Sequence, residues 1–195
     1  MNKQQQYINS LLIHPTAWTG HADFAIRLVK TFNPKVTVDL GVDFGFSTFS
    51  LAYANKGEVY GIDWFQGDEH TGHRNTFDSV TSLYNELKSV YSIPDITFIK
   101  GSFDDVAKTW NKQIDILHID GLHTFDAVKS DYDTWIRHCH SNSIILFHDV
   151  ESFPDSVGLF FNSLEGYKTI RGGSAGLGIL TQTPENHYII DNILY

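Results

Sequence analysis

Short apolar segments alternate with stretches of helical periodicity through most of this 195-residue chain. A run of about four to eight apolar residues bounded by glycine or polar residues indicates a buried strand. The strands predicted in this way are Val36–Leu40, Glu58–Ile62, Ile96–Ile99, Ile114–Ile119, Ser143–Phe147, Tyr167–Ile170 and Gly176–Thr181. Alternation of this kind predicts βαβ units, and therefore an α/β fold with a mostly parallel sheet covered by helices on both faces.

Helices are predicted between the successive strands and ahead of the first one. They are Gln4–Ile13, Ala22–Thr31, Ser47–Ala54, Asn75–Val90, Phe103–Trp110, Phe125–Arg137 and Asp155–Leu164. Only the glycine-rich turn Arg171–Gly173 separates the last two strands, so one of these strands should run antiparallel to the rest. We expect a single domain over residues 1–195, with an N-terminal helical segment at 1–33 and a core sheet at 34–183.

The composition supports one hydrophobic core and excludes several classes of function. Hydrophobic residues make up 42% of the chain and charged residues 19%, which is typical of an ordered domain. With 14 Lys and Arg residues and a net charge of -9, the chain lacks the basic patch that a nucleic acid or an anionic membrane requires. We see no signal peptide and no apolar run long enough to span a bilayer, so a cytoplasmic protein is expected. The single cysteine, Cys139, is expected to be a packed residue.

A glycine-containing turn, DLGVDFGFS, follows the first predicted strand at residues 39–47. Glycine lets the backbone approach a ligand closely, and the start of the next helix offers free N–H groups to a carboxylate. The spacing differs from the G-x-G-x-x-G of pyrophosphate sites, and Asp43 would repel a pyrophosphate. S-adenosylmethionine (SAM) carries a sulfonium and an ammonium group instead, so the turn favours SAM over NAD. The expected cofactor contacts are Asp39, Gly41, Asp43, Phe44, Gly45 and Ser47.

The next two strand ends carry further candidate cofactor contacts. Asp63 lies roughly 20 residues past the glycines, where an acidic residue accepts hydrogen bonds from ribose hydroxyls. Trp64 is placed to lie against the adenine, and Ser102 and Phe103 are placed at the adenine edge. The alternative is structural, with Asp63 capping a loop, Trp64 in the core and Ser102 as a helix N-cap.

Acids and imidazoles follow the fourth and fifth predicted strands. The fourth is followed by Asp120 and His123, and the fifth by His148 and Asp149. Because the carboxyl ends of parallel strands meet at one edge, we expect these four side chains to converge. Such a group can hold a divalent cation or supply a general base. We assign His123 as the base and Asp120, His148 and Asp149 as candidate metal ligands. The alternative is that the histidines are packed and the acids cap loops, which is the interpretation we favour for His118.

Two other segments leave alternatives open. Residues 67–73, GDEHTGH, fit either a mobile loop over the site or an ordinary solvated loop. The apolar N-terminal residues Tyr7, Leu11, Leu12 and Trp18 can pack on a second copy of the chain, so a homo-oligomer is one expectation.

With these motifs placed, the chain from about Val36 to Leu180 resembles the class I SAM-dependent methyltransferases, and most closely the branch of bacterial sugar and macrolide-sugar O-methyltransferases. Residues 39–47 resemble the acidic-x-Gly-x-x-x-Gly-x-Ser motif of that branch. Residues 61–70 resemble its I-D-x-W-x-G-D-E-H pattern, although Trp64 stands one position early and Phe65 holds the usual aromatic place. The longest match is to H-I-D-G-x-H-T-[YF]-x-x-V-x-x-D-x-x-x-W at 118–135, followed by a strand ending in H-D at 146–150 and a G-L-G-[IV]-L element at 175–180.

The resemblance implies a Rossmann-like, doubly wound sheet of seven strands with the last one antiparallel. It also implies SAM at the first two strand ends, with Asp120 facing both the cofactor and the chemistry. In such enzymes a divalent cation, Mg²⁺ or Mn²⁺, binds acids at the fourth and fifth strand ends and a histidine is the base, which carries over to Asp120, Asp149 and His123. His148 departs from the pattern, because metal-dependent relatives have an acid there.

The resulting prediction is SAM-dependent O-methylation of a sugar hydroxyl on a glycan or a small metabolite. One alternative is a related metal-dependent, hydroxylase-like enzyme, which exchangeable iron at Asp120, His123 and Asp149 would indicate. The other is a non-catalytic protein that binds SAM or a nucleotide and keeps the fold without turnover.

Overall fold

In the computed structural model, which describes residues 1–69 and 72–195, one seven-stranded sheet forms the centre of the molecule. The strands are β1 (Val36–Leu40), β2 (Glu58–Asp63), β3 (Ile96–Lys100), β4 (Ile114–Ile119), β5 (Cys139–His148), β6 (Tyr167–Arg171) and β7 (Leu177–Thr181). Their order is β3-β2-β1-β4-β5-β7-β6, and β7 is antiparallel to both of its neighbours. The predicted fold class, a mostly parallel doubly wound sheet with an antiparallel last strand, is confirmed.

Helices cover both faces of the sheet. They are α1 (Lys3–Leu11), α2 (Ala22–Phe32), α3 (Phe46–Ala52), α4 (Phe77–Val90), α5 (Phe103–Thr109), α6 (Phe125–Trp135), α7 (Leu159–Ser163) and α8 (Pro184–Ile193). On one face of the sheet, an apolar core is formed with helices α1, α2, α3, α4 and α8. On the opposite face, a second apolar core is formed with α5, α6 and α7. Among the described residues, no helix has both the length and the apolar composition needed to cross a membrane.

The register of the parallel strands brings the candidate motifs to one edge. Leu40 pairs with Ile62 and with Ile119, and Ile119 pairs with Phe147, so the residues that follow these positions leave the sheet side by side. The strand order reverses between β1 and β4, where the crevice of an open α/β sheet binds its ligand. The loops after β1 and β4 therefore define the position of the site.

Three elements differ from the sequence prediction. Strand β5 begins at Cys139, four residues earlier than predicted, because the polar segment at 139–142 still pairs with β4 across an irregularity in register. Burial raises the pKa of the Cys139 thiol to about 12, as suits a packed residue. The helix after β5 starts as a π-helical turn at Pro154–Gly158. Helix α8 was not predicted, because only Ile190 of its residues is buried and the apolar pattern is weak.

The N-terminal segment packs on its own chain, so the basis for a partner surface there was wrong. Tyr7, Leu11 and Trp18 are buried, and the Tyr7 hydroxyl donates to the Phe49 carbonyl over 2.9 Å. Only Leu12 of the four apolar residues is exposed. The segment therefore completes the core on the face of the sheet that carries α2 and α3.

Candidate active site

A cavity of about 810 Å³ lies over the carboxyl ends of the parallel strands. Its wall contains the loops that follow β1, β2, β3, β4 and β5, together with the segment that joins α1 to α2. Most of the predicted site residues lie on this wall. They are Gly41, Asp43, Phe44, Ser47, Asp63, Trp64, Ser102, Phe103, Asp120, His123, His148 and Asp149.

The turn after β1 brings the cofactor loop against the chemical residues. Gly41 has a φ of 95°, and a Cβ there would come within 1.9 Å of the Asp120 carbonyl oxygen. The Asp120 N–H donates to the Leu40 carbonyl over 2.9 Å. Only glycine at 41 allows this approach, so the loops after β1 and β4 form one continuous wall.

Two predicted cofactor contacts do not lie on the wall. Asp39 has no exposed surface, because its carboxylate accepts hydrogen bonds from the Ser47 and Thr48 hydroxyls and contacts His118 Nδ1 at 2.6 Å. Gly45 faces inward, where a Cβ would come within 2.4 Å of the Phe49 ring. Asp39 supports the loop from beneath and Gly45 shapes its turn with a φ of 90°, and a direct contact of either residue with a cofactor stays a prediction.

The loop after β2 presents one carboxylate and one aromatic ring to the cavity. Asp63 accepts hydrogen bonds from the N–H groups of Asp43 at 2.9 Å and Phe65 at 2.7 Å, and burial raises its pKa. Trp64 is 48% exposed, whereas Phe65 is fully buried with a φ of 58°. The structure therefore places Trp64 on the cavity wall and Phe65 in the core.

The wall next to β3 is made by α5 and α6. Ser102 caps α5 by accepting the Asp105 N–H, while it also borders the cavity beside Phe103. Asp131 of α6 faces the same region, and burial, aided by the charge of Asp104, raises its pKa to about 7. We did not single out Asp104 or Asp131 from the sequence, because neither follows a strand directly.

The chemical residues converge as predicted at the ends of β4 and β5. His123 Nε2 lies 2.9 Å from the Asp149 carboxylate and 3.7 Å from that of Asp120. His148 Nδ1 lies 3.3 Å from the Asp120 carboxylate and 3.1 Å from that of Asp149. Two carboxylates thus face two imidazole nitrogens in a compact cluster.

Charge pairing governs the ionisation of this cluster. Burial alone would raise the pKa of Asp120, but His148, His123 and His118 outweigh it and hold that pKa well below its usual range. Burial alone would lower the pKa of the two imidazoles, but Asp120 and Asp149 raise it to about 9 in His123 and about 10 in His148. Two positive charges balance two negative ones, and a divalent cation would provide the same balance.

The donor atoms of the cluster suit a metal ion. Ligand bonds of about 2.0–2.2 Å bring neighbouring donor atoms to roughly 3 Å from each other, which is close to the separations seen here. His148 Nε2 lies 3.0 Å from the Ser174 carbonyl and must donate to it, which leaves Nδ1 facing the carboxylates. A metal-binding histidine is usually oriented by a hydrogen bond of this kind. Asp120, His123 and Asp149 place their ligand atoms within 4.8 Å of one another.

The N-terminal segment and the β6–β7 turn support His148 from behind, which the sequence did not indicate. His21 is fully buried, and its Nε2 lies 3.0 Å from the same Ser174 carbonyl. Trp18 packs against the His148 and His118 rings. Ser174 has a φ of 47°, and its hydroxyl accepts the Gly20 N–H. The contacts of Gly20 and His21 with Ser174 join residues more than 150 positions apart, so no local pattern reveals them.

The loop between β2 and α4 borders the cavity through Asp68, Glu69, His73 and Arg74. Within it the Arg74 N–H donates to the Gln66 carbonyl over 2.9 Å. His70 and Thr71, part of the loop left open in the sequence analysis, lie outside the described residues.

Comparison with known proteins decides the family. Residues 38–150, more than half of the chain, match the family described as a methyltransferase domain. The chain belongs to this methyltransferase family. It is also 32% identical over 152 residues to the uncharacterized protein y4gI of Sinorhizobium fredii, a match that covers 74% of this chain and 16% of that protein. The methyltransferase chain therefore corresponds to about one sixth of the length of this curated relative.

Solved methyltransferase structures share the fold at low sequence identity. The Podospora anserina methyltransferase PaMTH1 with bound S-adenosylhomocysteine (SAH) superposes with a TM-score of 0.68 at 11% identity, over 94% of this chain and 89% of that one. The Bacillus cereus O-methyltransferase in complex with SAH gives 0.65 at 13%, over 94% and 92%. The Streptomyces achromogenes O-methyltransferase TomG in complex with SAM gives 0.60 at 14%, over 94% and 100%. The family match confirms the expected methyltransferase class, and the solved structures share its fold.

Proposed function

We propose that this methyltransferase transfers the methyl group of SAM to a hydroxyl of a sugar, on a glycan or a small metabolite. The observation that carries the proposal is the continuous wall formed by the cofactor loop and the acid–imidazole cluster. Gly41 abuts the Asp120 carbonyl, so a ligand over the glycine turn lies next to Asp120 and His123. One cavity can then hold a cofactor and an acceptor in reacting distance, which is a large part of catalysis by orientation.

The residues of the wall divide into two roles. Asp63 and Trp64 bind the nucleoside, with the Asp63 carboxylate accepting hydrogen bonds from the ribose hydroxyls. When bound, SAM supplies an electrophilic methyl group on a sulfonium. His123 takes the proton of the acceptor hydroxyl in its neutral form. In the cation-free cluster its Nε2 lies 2.9 Å from Asp149 and its pKa is raised to about 9, so it would become neutral once a cation balances the two carboxylates in its place. Stacking of the His123 ring on Phe153, with centroids 4.4 Å apart, fixes its plane.

A divalent cation assists the reaction in this proposal, with Asp120, His148 and Asp149 as its ligands. When bound, the cation lowers the pKa of an acceptor hydroxyl and orients it. The imidazole of His148 in place of a third carboxylate favours Mn²⁺ over Mg²⁺, because imidazole is a poorer ligand for Mg²⁺ than for the first-row transition metals.

The acceptor and the setting of the enzyme follow from the same wall. Asp68, Glu69 and His73 border the cavity and can accept hydrogen bonds from the hydroxyls of a sugar. The net charge of -9 argues against a nucleic acid as the acceptor. We place the protein in the cytoplasm, and a homo-oligomer stays a proposal for the surfaces outside the N-terminal core.

A second candidate function is favoured by one observation, the two imidazole nitrogens that face two carboxylates. Two histidines and one carboxylate on one face of an Fe²⁺ ion are typical of non-haem iron oxygenases. A hydroxylase-like reaction at Asp120, His123 and Asp149 would need His148 as the second imidazole ligand of the iron, and His123 would then be a ligand and not a base.

Calorimetric titration of SAH into the purified protein tests the proposal, first in chelator and then with Mn²⁺ or Mg²⁺. We expect micromolar or tighter binding, and a change in SAH affinity with Mn²⁺ that Asp149→Asn removes. Tight retention of iron, with no binding of SAH, would favour the hydroxylase. No SAH binding under any condition would overturn methyl transfer and leave only the family fold.

A further inference from the structure

Asp43, one of the expected cofactor contacts, forms an ion pair on the cavity wall with Arg74, which has no role in the assignments above. Arg74 Nη2 is 2.7 Å from the Asp43 carboxylate, and both side chains are partly exposed to the cavity. The guanidinium also lies over the Phe44 ring, 5.1 Å from its centroid, and His14 stacks on the same ring at 3.8 Å. Arg74 Nε is buried and has no hydrogen-bond partner among the described residues.

Arg74 is exceptional on this wall because of its charge. Among the described residues that border the cavity it is the only Arg or Lys, whereas eight Asp and Glu side chains border the same space. The nearby hydroxyls of Ser47 and Thr48 donate to buried Asp39, and so they are not free to bind a ligand anion. The charged imidazoles of the acid–imidazole cluster pair with its two carboxylates at the chemical end of the cavity, so Arg74 is the cation that the described residues offer a ligand carboxylate at the cofactor end.

We propose that Arg74 and Asp43 together bind the amino-acid group of SAM, with the Arg74 guanidinium on its carboxylate and the Asp43 carboxylate on its ammonium. The inference rests on the proposed function, since it takes SAM as the ligand. The carboxylate is the only anionic group of SAM, and the two residues present the opposite charges in adjacent positions. Binding exchanges one protein ion pair for two ion pairs with the ligand, so no charge is left unpaired.

The position and exposure of the pair fit this exchange. The Asp43 N–H donates to Asp63, so the pair adjoins the carboxylate that we assign to the ribose. The Arg74 and Asp43 side chains are 33% and 45% exposed, and an ion pair this open contributes little to stability. Breaking this ion pair to admit a ligand therefore costs little free energy. A guanidinium binds a carboxylate through two parallel hydrogen bonds, which a lysine cannot reproduce.

The test compares two ligands that differ only at the proposed contact. SAH carries the amino-acid group, whereas 5′-methylthioadenosine keeps the nucleoside and the sulfur but lacks that group. We expect Arg74→Gln to weaken SAH binding by about tenfold to a hundredfold, the cost of a lost charge-assisted hydrogen bond. Binding of 5′-methylthioadenosine should change by less than about twofold. Arg74→Lys should fall between Arg74→Gln and the wild type.

Two further variants complete the design. Asp43→Asn, which suits the φ of 48° at that position, should also weaken SAH selectively. Lys112→Gln is the control, because Lys112 forms a comparably exposed ion pair with Glu58 away from the cavity. It should leave the binding of both ligands unchanged. Thermal unfolding followed by circular dichroism checks that each variant is folded.

The outcomes separate the two proposals. Equal weakening of both ligands in Arg74→Gln would show that Arg74 only supports the wall, and unchanged SAH binding would show that the carboxylate binds elsewhere. Either result overturns the assignment of Arg74 and leaves methyl transfer standing. If the wild type binds neither ligand, the proposed function and this inference both fail.

Discussion

The aspartate side chains at the two ends of the cavity have pKa values shifted in opposite directions. Burial acts to raise the pKa of Asp63 and Asp131 at the cofactor end and of Asp120 and Asp149 at the chemical end. At the cofactor end nothing reverses this effect, and both pKa values stay raised. At the chemical end the imidazoles of His123 and His148 reverse it. The paired imidazoles therefore distinguish the chemical end from the cofactor end, where burial keeps the pKa of Asp43 raised even beside Arg74.

This difference indicates what each end can bind. Among the described residues no cation lowers the pKa of Asp63 or Asp131, so a ligand that brings hydrogen-bond donors, such as ribose hydroxyls or an adenine amine, suits them. The chemical end is already neutral through two acids and two imidazoles. It can exchange its two imidazole protons for one divalent cation with no change in total charge.

The largest expected effect comes from testing the two ends of the cavity independently, with one variant at the chemical end and one at the cofactor end. His123→Ala should lower methyl transfer by about 10²–10⁴-fold, as expected for loss of a general base, and should leave SAH affinity within about twofold. Asp63→Ala should weaken SAH binding by about tenfold or more, because a charged acceptor is lost. The measurements are SAH titration and the transfer of a labelled methyl group to a panel of hydroxylated sugars.

His187→Ala is the matched control for the first variant, since His187 lies on α8 and pairs with Asp191. It should change neither binding nor transfer. Full turnover by His123→Ala on an accepted sugar would show that the base has been assigned wrongly. Loss of SAH binding in the same variant would show that the two ends are not independent.

The next effect concerns stability and isolates the cofactor end. The pKa of Asp131 is about 7 in the folded protein and about 3.9 in an unfolded chain. Between these values the folded state binds more protons, so the free energy of unfolding should fall as pH rises from about 4 to about 7. We expect Asp131→Asn to remove about 1–3 kcal/mol of this decrease, since each pKa unit is worth about 1.4 kcal/mol and the site is partly open to solvent.

Urea unfolding at pH 5 and pH 8 measures this difference. Asp133→Asn is the control on the same helix, because Asp133 is exposed and pairs with Lys129. In Asp133→Asn the free energy of unfolding should fall between pH 5 and pH 8 by as much as in the wild type. Parallel pH profiles of Asp131→Asn and the wild type would mean that Asp131 is ionised in the folded protein and that the contrast between the two ends is smaller than argued.

The chemical end was predictable from the sequence and the cofactor end only in part. Asp120, His123, His148 and Asp149 directly follow apolar runs, and parallel strands bring such positions together without further information. Asp39 could not be placed in the same way, because it belongs to the strand itself and its carboxylate turns to His118 on the neighbouring strand. Position at a strand end indicates proximity to the site, but not the direction of a side chain.

Other features depend on contacts between distant parts of the chain. The support of His148 by Ser174 and His21 requires the β6–β7 turn to meet the N-terminal segment. Asp131 reaches the cavity from the middle of α6. Helix α8 did have a signal, since Thr183 caps it and Pro184 opens it, but its apolar pattern is too weak to show a helix. Tertiary contacts, and not local propensities, set these details.

The smallest expected effect concerns Trp64, which is exposed on the cavity wall, whereas its neighbour Phe65 is buried. The family resemblance puts Phe65 in the usual aromatic place of the motif after β2, whereas the structure buries Phe65 and leaves Trp64 48% exposed on the wall. Trp64→Ala should therefore weaken SAH binding by about twofold to twelvefold, the worth of one aromatic contact of about 0.5–1.5 kcal/mol. The free energy of unfolding should change by less than about 0.5 kcal/mol, as is usual for an exposed position.

Titration of SAH and of Mn²⁺ into Trp64→Ala, Trp64→Phe and Tyr188→Ala sharpens this prediction. Trp64→Phe should recover part of the SAH affinity, and Tyr188→Ala, which alters an exposed ring on α8, should have no effect. Mn²⁺ affinity should be unchanged in all three variants. The hydrogen bonds and ion pairs of the acid–imidazole cluster join His123 and His148 to Asp120 and Asp149, and Trp64 takes no part in them. A change in Mn²⁺ affinity in Trp64→Ala would mean that the ends of the cavity communicate through the wall. The separation of roles between Asp63 and His123 would then have to be given up as well.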